Sequence, residues 1–350
     1  MAMGACSVHR SPHPLAKLPL AGRVCVSYDS RMPDQVAIPP HYAACFARQK
    51  QAAAAHPFPS RAERVQRLRT LARLLDSHRD AIVRAIHADF GNRSATETLL
   101  AEYLSVSDSL RHAAASLASW MKPRSRRVDM LVFPGARNRV IPQPLGVVGV
   151  IVPWNFPLLL SFSPLVAIVA AGNRAMVKMS EKSPQLAELL REVSPQYLPE
   201  DTLTFLADDG TQGPAFASLP FDHLLFTGST ATGRAVMATA ARNLTPVTLE
   251  LGGKNPAIVG PELLSAGQAC TSVDYAFVPE GRVDGFVAWC AQAVAARYPD
   301  IGSGDYTSLI DAQAMTRMHR LLDDARERGA TVVELATHDA GTAASRKFPP

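Results

Sequence analysis

The spacing of apolar residues predicts that the first third of the chain is largely helical. From residue 60 to residue 121, apolar side chains recur three and four positions apart, which is the period of one helix face. Ser60 and Glu63 are spaced as in a capping box at the start of this run, and Gly91 interrupts it. A second amphipathic stretch covers residues 97–120. The pattern therefore indicates two long helices.

Between residues 146 and 250, short apolar runs alternate with helical segments. The strand-like runs are 146–152, 175–178, 203–206, 223–227 and 247–250, and the helical segments include 158–171 and 185–194. A short run without polar alternation is typical of a strand that is buried on both faces. Because alternating strands and helices form parallel sheets with crossover helices, we expect an α/β fold of the Rossmann type.

Residues 128–145 follow neither pattern. Aliphatic and β-branched residues alternate there with Arg and Pro around Pro134 and Gly135, which predicts a short exposed hairpin. Projecting hairpins often pair with another subunit, so this segment suggests a homodimer.

The patterns divide the chain into five parts. They are a leader (1–35), a helical part (36–127), the hairpin (128–145), a nucleotide-binding sheet (146–250) and a remainder (251–350). The leader is rich in Pro, His and Ser and lacks the apolar core of a signal peptide, so we predict that it is disordered. An organelle-targeting peptide and a start codon assigned too far upstream are alternative interpretations of this segment.

Composition and charge narrow the classes of function. The chain has 350 residues, 47% of them hydrophobic, which is enough for a large core. Its net charge of +5 comes from interspersed cations and anions, so no nucleic-acid partner is expected. Five cysteines without a CxxC pair predict neither a disulfide framework nor a metal site and favour the cytoplasm. No apolar run reaches about 18 residues, so no membrane partner is expected either.

Three motifs carry a family resemblance. They are Pro153-Trp154-Asn155-Phe156-Pro157, Phe226-Thr227-Gly228-Ser229 with Gly233, and Leu249-Glu250-Leu251-Gly252-Gly253-Lys254. Together they resemble the aldehyde dehydrogenase superfamily, and the flanking segments 143–148 and 219–226 are similar to its coniferyl-aldehyde dehydrogenase branch. The resemblance implies an NAD-binding domain, an oligomerisation hairpin and, from residue 251, an α/β catalytic domain. It also implies oxidation of an aldehyde, in this branch an aromatic one, to the carboxylic acid.

Cys270 is the candidate nucleophile. Hydride can leave an aldehyde carbon only after a nucleophile has made that carbon tetrahedral, and a thiolate does this well. Residues 266–270 resemble the nucleophile loop of the family, whereas Cys290 lies in an apolar helical run. A lone cysteine is more often a small buried hydrophobe, and the motif favours the catalytic interpretation for Cys270 only.

The resemblance assigns two further catalytic roles. The Asn155 amide and the Cys270 backbone N–H would stabilise the oxyanion, although an Asn here could also simply cap the turn after a strand. Glu250 would activate the water that releases the acid. Partial burial at this strand end would raise the pKa of Glu250, and a solvent-exposed glutamate is the alternative interpretation.

The resemblance also implies the cofactor contacts. Ser229 and the backbone near Gly228 would begin a helix whose N-terminus receives a pyrophosphate, and Gly233 would let that helix pack closely on the sheet. Lys178 and Glu181 resemble the pair that holds the adenosine ribose, with a surface ion pair as the alternative. A carboxylate there repels a 2′-phosphate, so NAD is favoured over NADP. The remaining contacts are Leu251, Gly252 and Trp154, and Trp154 could equally fill the core.

Two departures from the family pattern bear on activity. Cys270 follows Glu250 by only 20 positions, which is shorter than in the family, so we expect an internal deletion, and we also expect a missing C-terminal part. Three functions therefore stay open. They are an active NAD-dependent dehydrogenase, an impaired relative that only binds NAD or partner subunits, and a thiol esterase that works without NAD.

Overall fold

Helices form the first part of the described residues, as the apolar spacing predicts. The structure, a computed structural model, describes residues 37–257, 264–336 and 346–350. Helix α1 spans Pro40–Ala55, α2 Arg61–Phe90, the short α3 Ala95–Glu97 and α4 Leu104–Trp120, with a π-helical turn at Thr98–Tyr103. The predicted capping box is confirmed, because Ser60 and Glu63 each bond the backbone N–H of the other. Gly91 ends α2 in the left-handed region, with φ +71°.

The exposed hairpin is present, but it begins earlier than predicted. Strand β1 (Arg124–Arg126) pairs antiparallel with β2 (Asn138–Val140), and every residue of both strands is exposed. The predicted start at residue 128 is wrong, because β1 reads Arg-Ser-Arg and has no apolar alternation that could reveal it. The hairpin exposes Leu131 and Phe133 at 94% and 60%.

A parallel sheet forms the centre of the described residues, as predicted. Its elements alternate along the chain as β3 (Val147–Ile151), α5 (Pro157–Ala170), β4 (Arg174–Lys178), α6 (Pro184–Val193), β5 (Leu203–Leu206), α7 (Gly213–Ala217), β6 (His223–Gly228), α8 (Thr230–Ala241) and β7 (Val247–Leu251). The strand order is β5-β4-β3-β6-β7 with every pair parallel. The order therefore reverses between β3 and β6, where α/β sheets place ligands beyond the carboxyl ends of their strands.

Alternate residues of β3 pack into two apolar cores on opposite faces of the sheet. Val148 and Val150 join a cluster built from α2, α4, α5 and α6. Val147 and Ile151 join a second cluster with residues of α1, α7 and α8. This period of two is what a strand buried on both faces requires.

The remaining described elements follow β7. A short parallel pair is formed by β8 (Asn255–Ala257) and β9 (Val273–Ala276), and α9 (Val283–Arg297) and α10 (Ala312–Glu327) come after it. Residues 258–263, where the sequence suggests the deletion, lie outside the described residues. Within the described ranges, no helix combines the length and the apolar character that a membrane crossing needs.

Asp89 joins two of these helices and should make stability depend on pH. Its carboxylate accepts the backbone N–H groups of Gln185 (2.8 Å) and Leu186 (3.1 Å) in the first turn of α6. Burial raises the pKa of Asp89 from the usual 3.8 to about 6, and the two hydrogen bonds oppose this only in part. The carboxyl group of Asp89 therefore binds its proton more tightly in the folded chain than in the unfolded chain. The resulting stabilisation is complete below the usual pKa and is lost as the pH rises through about 6.

Asp89→Asn should remove this pH dependence. The measurement is the free energy of unfolding of the wild type and of the variant, by urea denaturation between about pH 4 and pH 7. We expect the advantage of the wild type over the variant to shrink as the pH rises. Two stability curves that run parallel over this window would contradict the role given to Asp89.

Candidate functional site

A cleft of about 800 Å³ opens at the carboxyl ends of the strands, and we call it the thiol cleft. It is lined by the segment that follows β3 (Pro153–Asn155), by the last residue of β6 and the next one (Gly228 and Ser229), and by the end of β7 and the next residue (Glu250, Leu251 and Gly252). Residues 266–270, α10 and Phe348 complete the lining. All three family motifs therefore meet at one edge of the sheet, which is where the strand order reverses.

Cys270 lies in this cleft and is exposed. The Asn255 amide donates to the carbonyl of Cys270 (2.7 Å) and to that of Ser272 (3.2 Å), which ties the segment after β7 to the segment that carries the thiol. Cys290, by contrast, is buried in α9, as its apolar surroundings predict. Burial raises the pKa of the Cys290 thiol, which keeps it protonated.

Gln268 fixes the loop of residues 265–270, which we call the Cys270 loop. Its side-chain amide donates to the carbonyls of Ser265 (3.0 Å) and Ser308 (3.1 Å), and its side-chain oxygen accepts the N–H of Ile310 (3.1 Å). Ser265 and Ala266 have φ of 55° and 50°, the left-handed region that costs non-glycine residues about 1–3 kcal/mol each. The loop keeps this strained backbone within a dense set of hydrogen bonds.

The side chain of Asn155 reaches across the cleft to the Cys270 loop. Its Nδ2 donates to the carbonyl of Gln268 at 3.0 Å. The described hydrogen bonds therefore do not include the turn-capping role that was the alternative for Asn155. A primary amide carries two N–H groups, so this bond leaves one of them available to another acceptor.

A buried guanidinium, which the sequence analysis missed, holds the backbone at Asn155. Arg93 is 1% exposed, and its Nη1 donates to the Asn155 carbonyl at 2.7 Å. The guanidinium also lies 4.7 Å from the ring centre of Phe156 and pairs with Glu102 at 3.3 Å. Glu102, which is fully buried in the π-helical turn, accepts the backbone N–H of Leu158 (2.9 Å) at the start of α5.

The same cluster reaches the Cys270 loop. Arg93 Nη1 also donates to the Ser265 hydroxyl (3.2 Å), and Glu97 accepts the Ser265 backbone N–H (3.0 Å). The Thr307 hydroxyl donates to the second oxygen of Glu97. Burial raises the pKa of Glu102, and the Arg93 cation opposes this rise. One charged cluster thus fixes both the turn that carries Asn155 and the loop that carries Cys270.

Glu250 lines the thiol cleft but is exposed to solvent. The partial burial expected from the sequence is therefore wrong. The reason is the position of β7: it is the last strand of the sheet, and its final two residues, Glu250 and Leu251, extend beyond the core.

A second groove, of about 430 Å³, continues from the thiol cleft along α8, and we call it the α8 groove. Ser229 begins α8 as its N-cap and accepts the N–H of Thr232 at 3.2 Å, as predicted. A Cβ added to Gly233 would lie 2.9 Å from Leu251 and 3.5 Å from Phe226, so the close packing predicted for this glycine is confirmed. Since the two cavities share residues 153 and 154 and residues 227–229, one elongated ligand could occupy both.

Lys178 and Glu181 both line the α8 groove, but they do not form a pair with each other. Lys178 is 4% exposed and makes its ion pair with Asp208, which follows β5. The alternative of a surface ion pair is therefore wrong. Sequence reasoning missed Asp208 altogether.

Trp154 lies between the two cavities and lines both. It is half-buried, packs against the larger apolar core and lies 6.1 Å from the ring of Phe90. Both interpretations of this residue, a cavity wall and a part of the core, agree with its position.

The fold and the site define an α/β protein with a doubly wound parallel sheet and a cleft at its switch point, and this cleft holds an exposed thiol and the N-terminus of a helix. Comparison with protein families shows that residues 39–348 match the aldehyde dehydrogenase family. The chain belongs to this family.

Known relatives confirm the branch expected from the motifs. The chain is 47% identical over 307 residues to a probable coniferyl aldehyde dehydrogenase of Pseudomonas aeruginosa, covering 83% of this chain and 64% of that protein. It is 45% identical to the coniferyl aldehyde dehydrogenase of a Pseudomonas species, covering 82% and 63%. The chain thus spans a little under two thirds of the length of these relatives.

Solved structures agree on the fold. A Mycobacterium tuberculosis aldehyde dehydrogenase complexed with NAD+ matches with a TM-score of 0.76 and 26% identity, over 90% of this chain and 68% of that one. A substrate-bound Staphylococcus aureus AldH matches with a TM-score of 0.79 and 25% identity, over 88% and 69%. The α/β fold predicted from the sequence is confirmed.

Proposed function

We propose that the chain oxidises an aldehyde to the carboxylic acid with NAD+ as the hydride acceptor. The observation that carries this proposal is that Cys270, Asn155 and Glu250 line one cleft, which continues into the α8 groove. Membership of the aldehyde dehydrogenase family supports the same activity.

The chemistry proceeds through the sulfur of Cys270. The thiolate attacks the aldehyde carbon, and the free N–H of the Asn155 amide together with the Cys270 backbone N–H stabilises the oxyanion. The hydride that leaves this carbon would go to NAD+, which would supply the acceptor when bound. The acyl group then remains on Cys270 as a thioester. Glu250 takes a proton from water, the hydroxide attacks the thioester, and the acid leaves as the thiolate returns.

The described residues fit a dinucleotide along the α8 groove. The N-terminus of α8 at Gly228 and Ser229 would offer backbone N–H groups to a pyrophosphate, and Gly233 keeps α8 close to the sheet. Glu181 would accept from the adenosine ribose hydroxyls, and Lys178 would line the same part of the groove. Trp154, Leu251 and Gly252 line the route to Cys270. The Glu181 carboxylate favours NAD+ over NADP+.

The substrate class that we propose is an aromatic aldehyde of the coniferaldehyde type. The thiol cleft has apolar walls, among them Trp154, Leu160, Met318 and Phe348, which suit a planar ring. The coniferyl aldehyde dehydrogenases among the relatives support this class.

We also propose a homodimer through the β1–β2 hairpin. Its exposed apolar residues, including Leu131 and Phe133, form a surface typical of subunit contacts. For the domains we propose a helical part (36–127) and a sheet (146–250) that bind NAD+, and a catalytic domain that begins at residue 251.

Cys270→Ala should abolish aldehyde-dependent formation of NADH, because the hydride cannot leave a trigonal aldehyde carbon. The measurement is the rate of NADH production with coniferaldehyde and NAD+. Cys290→Ala serves as the control, since this buried thiol lies outside the cleft, and its turnover should persist. NADH formation that persists in Cys270→Ala would contradict the proposal. Hydrolysis of an acyl ester by the wild type at a rate independent of added NAD+ would favour the esterase.

A second candidate is a protein that binds NAD+ without turnover. The observation in its favour is that one of the two N–H groups of the Asn155 amide is already used in the bond to Gln268. It predicts that NAD+ binds, as measured by calorimetry, while NADH formation is absent both before and after Cys270→Ala.

A further inference from the structure

Three charged side chains line the α8 groove, and they are the only charged groups among its described lining residues. They are Lys178 at the end of β4, Glu181 after it, and Asp208 after β5. The side chains of Lys178 and Asp208 are 5% and 2% exposed and form an ion pair. The amine is therefore already committed to a partner inside the protein.

The loop that carries Asp208 is built to bring it to this position. Asp208 Oδ1 accepts the backbone N–H groups of Gly210 and Gln212, both at 3.1 Å, while Oδ2 faces Lys178. Gly210 has φ +92°, and a Cβ added there would lie 3.5 Å from Glu181. The turn thus lies in close contact with Glu181, and both carboxylates line the groove.

At this end of the groove there are two carboxylates and one cation, so one negative charge is left without a counter-charge. Asp208 cancels the cation of Lys178, so nothing among these three groups compensates Glu181. A phosphate group brings about two further negative charges near neutral pH, and the exposed carboxylate of Glu181 repels them. A ribose hydroxyl meets no such penalty and can donate to a carboxylate.

We propose that Asp208 is a specificity-determining residue, which rests on the proposed use of a nicotinamide dinucleotide. By holding Lys178 it prevents this amine from meeting a 2′-phosphate, and together with Glu181 it makes the groove accept NAD+ and reject NADP+. Without Asp208, Lys178 would be free to turn towards the phosphate and pair with it.

Asp208→Asn isolates this effect. Asparagine keeps the oxygen that accepts from Gly210 and Gln212, so the turn is retained, and it replaces the oxygen that faces Lys178 by an NH2 group. Two donors then face each other, which releases Lys178 into the groove. We expect the affinity for NADP+ relative to NAD+ to rise by about tenfold or more, the scale of one hydrogen bond to a charged group.

The measurement is isothermal titration calorimetry of the full chain with NAD+ and with NADP+, which needs no turnover. Asp209→Asn is the matched control, because Asp209 is the next residue, is exposed, bonds Thr211 and does not line the groove. It carries the same change in charge and should leave the ratio of the two affinities unchanged. Asp208→Glu, which keeps the charge, should keep the preference for NAD+.

The outcomes separate this inference from the proposed function. If Asp208→Asn weakens the binding of NAD+ and of NADP+ by the same factor, Asp208 only holds the loop and the inference is wrong. Binding of NAD+ by the wild type would still support the proposed function. If Asp209→Asn shifts the ratio of the NADP+ and NAD+ affinities by the same amount, the inference is also wrong, because the loss of any negative charge would then explain the shift. A wild type that binds neither dinucleotide would overturn the proposed function and this inference together.

Discussion

Arg93→Met should lower the free energy of unfolding by about 3–5 kcal/mol, which is the effect of removing one partner of a buried ion pair. The side chains of Arg93 and Glu102 are both 0% exposed and lie 3.3 Å apart. Methionine fills a similar volume beside Phe90 and Phe156 but leaves the Glu102 carboxylate buried without a cation. The Asn155 carbonyl and the Ser265 hydroxyl would lose their donor as well. Urea denaturation measures the loss.

A double-mutant cycle separates the charge from the packing. Glu102→Gln keeps an oxygen that can accept the N–H of Leu158 but removes the buried charge, so in the Arg93→Met background it should restore part of the lost stability. Arg111→Met is the matched control. Its pair with Asp108 is exposed, at 76% for both side chains, and the change should stay within about 0.5 kcal/mol. Strictly additive losses at Arg93 and Glu102 would show that the two charges are not coupled.

Local patterns made the sheet and the three motifs predictable. Each motif sits where an apolar strand ends, and the carboxyl ends of parallel strands necessarily meet at one edge of a sheet. The sequence alone therefore brings Asn155, Ser229 and Glu250 to the same region. The cap at Ser229 and the close packing at Gly233 follow from short-range rules of the same kind.

The buried charges could not be predicted in this way. Arg93, Glu97 and Glu102 occupy helical or loop positions where charged residues normally face solvent. Their partners lie far along the chain: Arg93 contacts Asn155, 62 positions away, and Ser265, 172 positions away. Only the packing of the N-terminal helices against the Cys270 loop reveals them. A buried Arg is rare enough that no single-residue pattern points to it.

Asp208 shows the same limit at shorter range. Asp208 and Asp209 are identical neighbours in the sequence, yet one is buried against Lys178 and the other is exposed in the turn. The turn geometry decides between them, because Asp208 accepts the backbone N–H of Gly210 with one oxygen and faces Lys178 with the other. The early start of the hairpin has a similar cause, since the strand Arg124–Arg126 has no apolar residue to mark it.

Glu250→Gln should slow steady-state aldehyde oxidation by about 10²–10⁴-fold and leave the first turnover intact, on the proposed function. Glutamine matches the shape of the side chain but cannot take a proton from water. Hydride transfer precedes that step, so one equivalent of NADH per Cys270 should form in a burst and the acyl group should remain on the thiol. Rapid-mixing kinetics measures the burst, and mass spectrometry of the intact chain detects the acyl adduct.

The exposure of Glu250 makes this variant a clean test, because the substitution creates no buried unpaired group and should leave stability unchanged. Glu188→Gln is the control, since this exposed glutamate of α6 pairs with Arg191 and lies outside the cleft. It should keep both the burst and the steady state. If Glu250→Gln slows the burst as much as the steady state, the carboxylate acts in a step before or during hydride transfer. Unchanged kinetics would mean that another group activates the water.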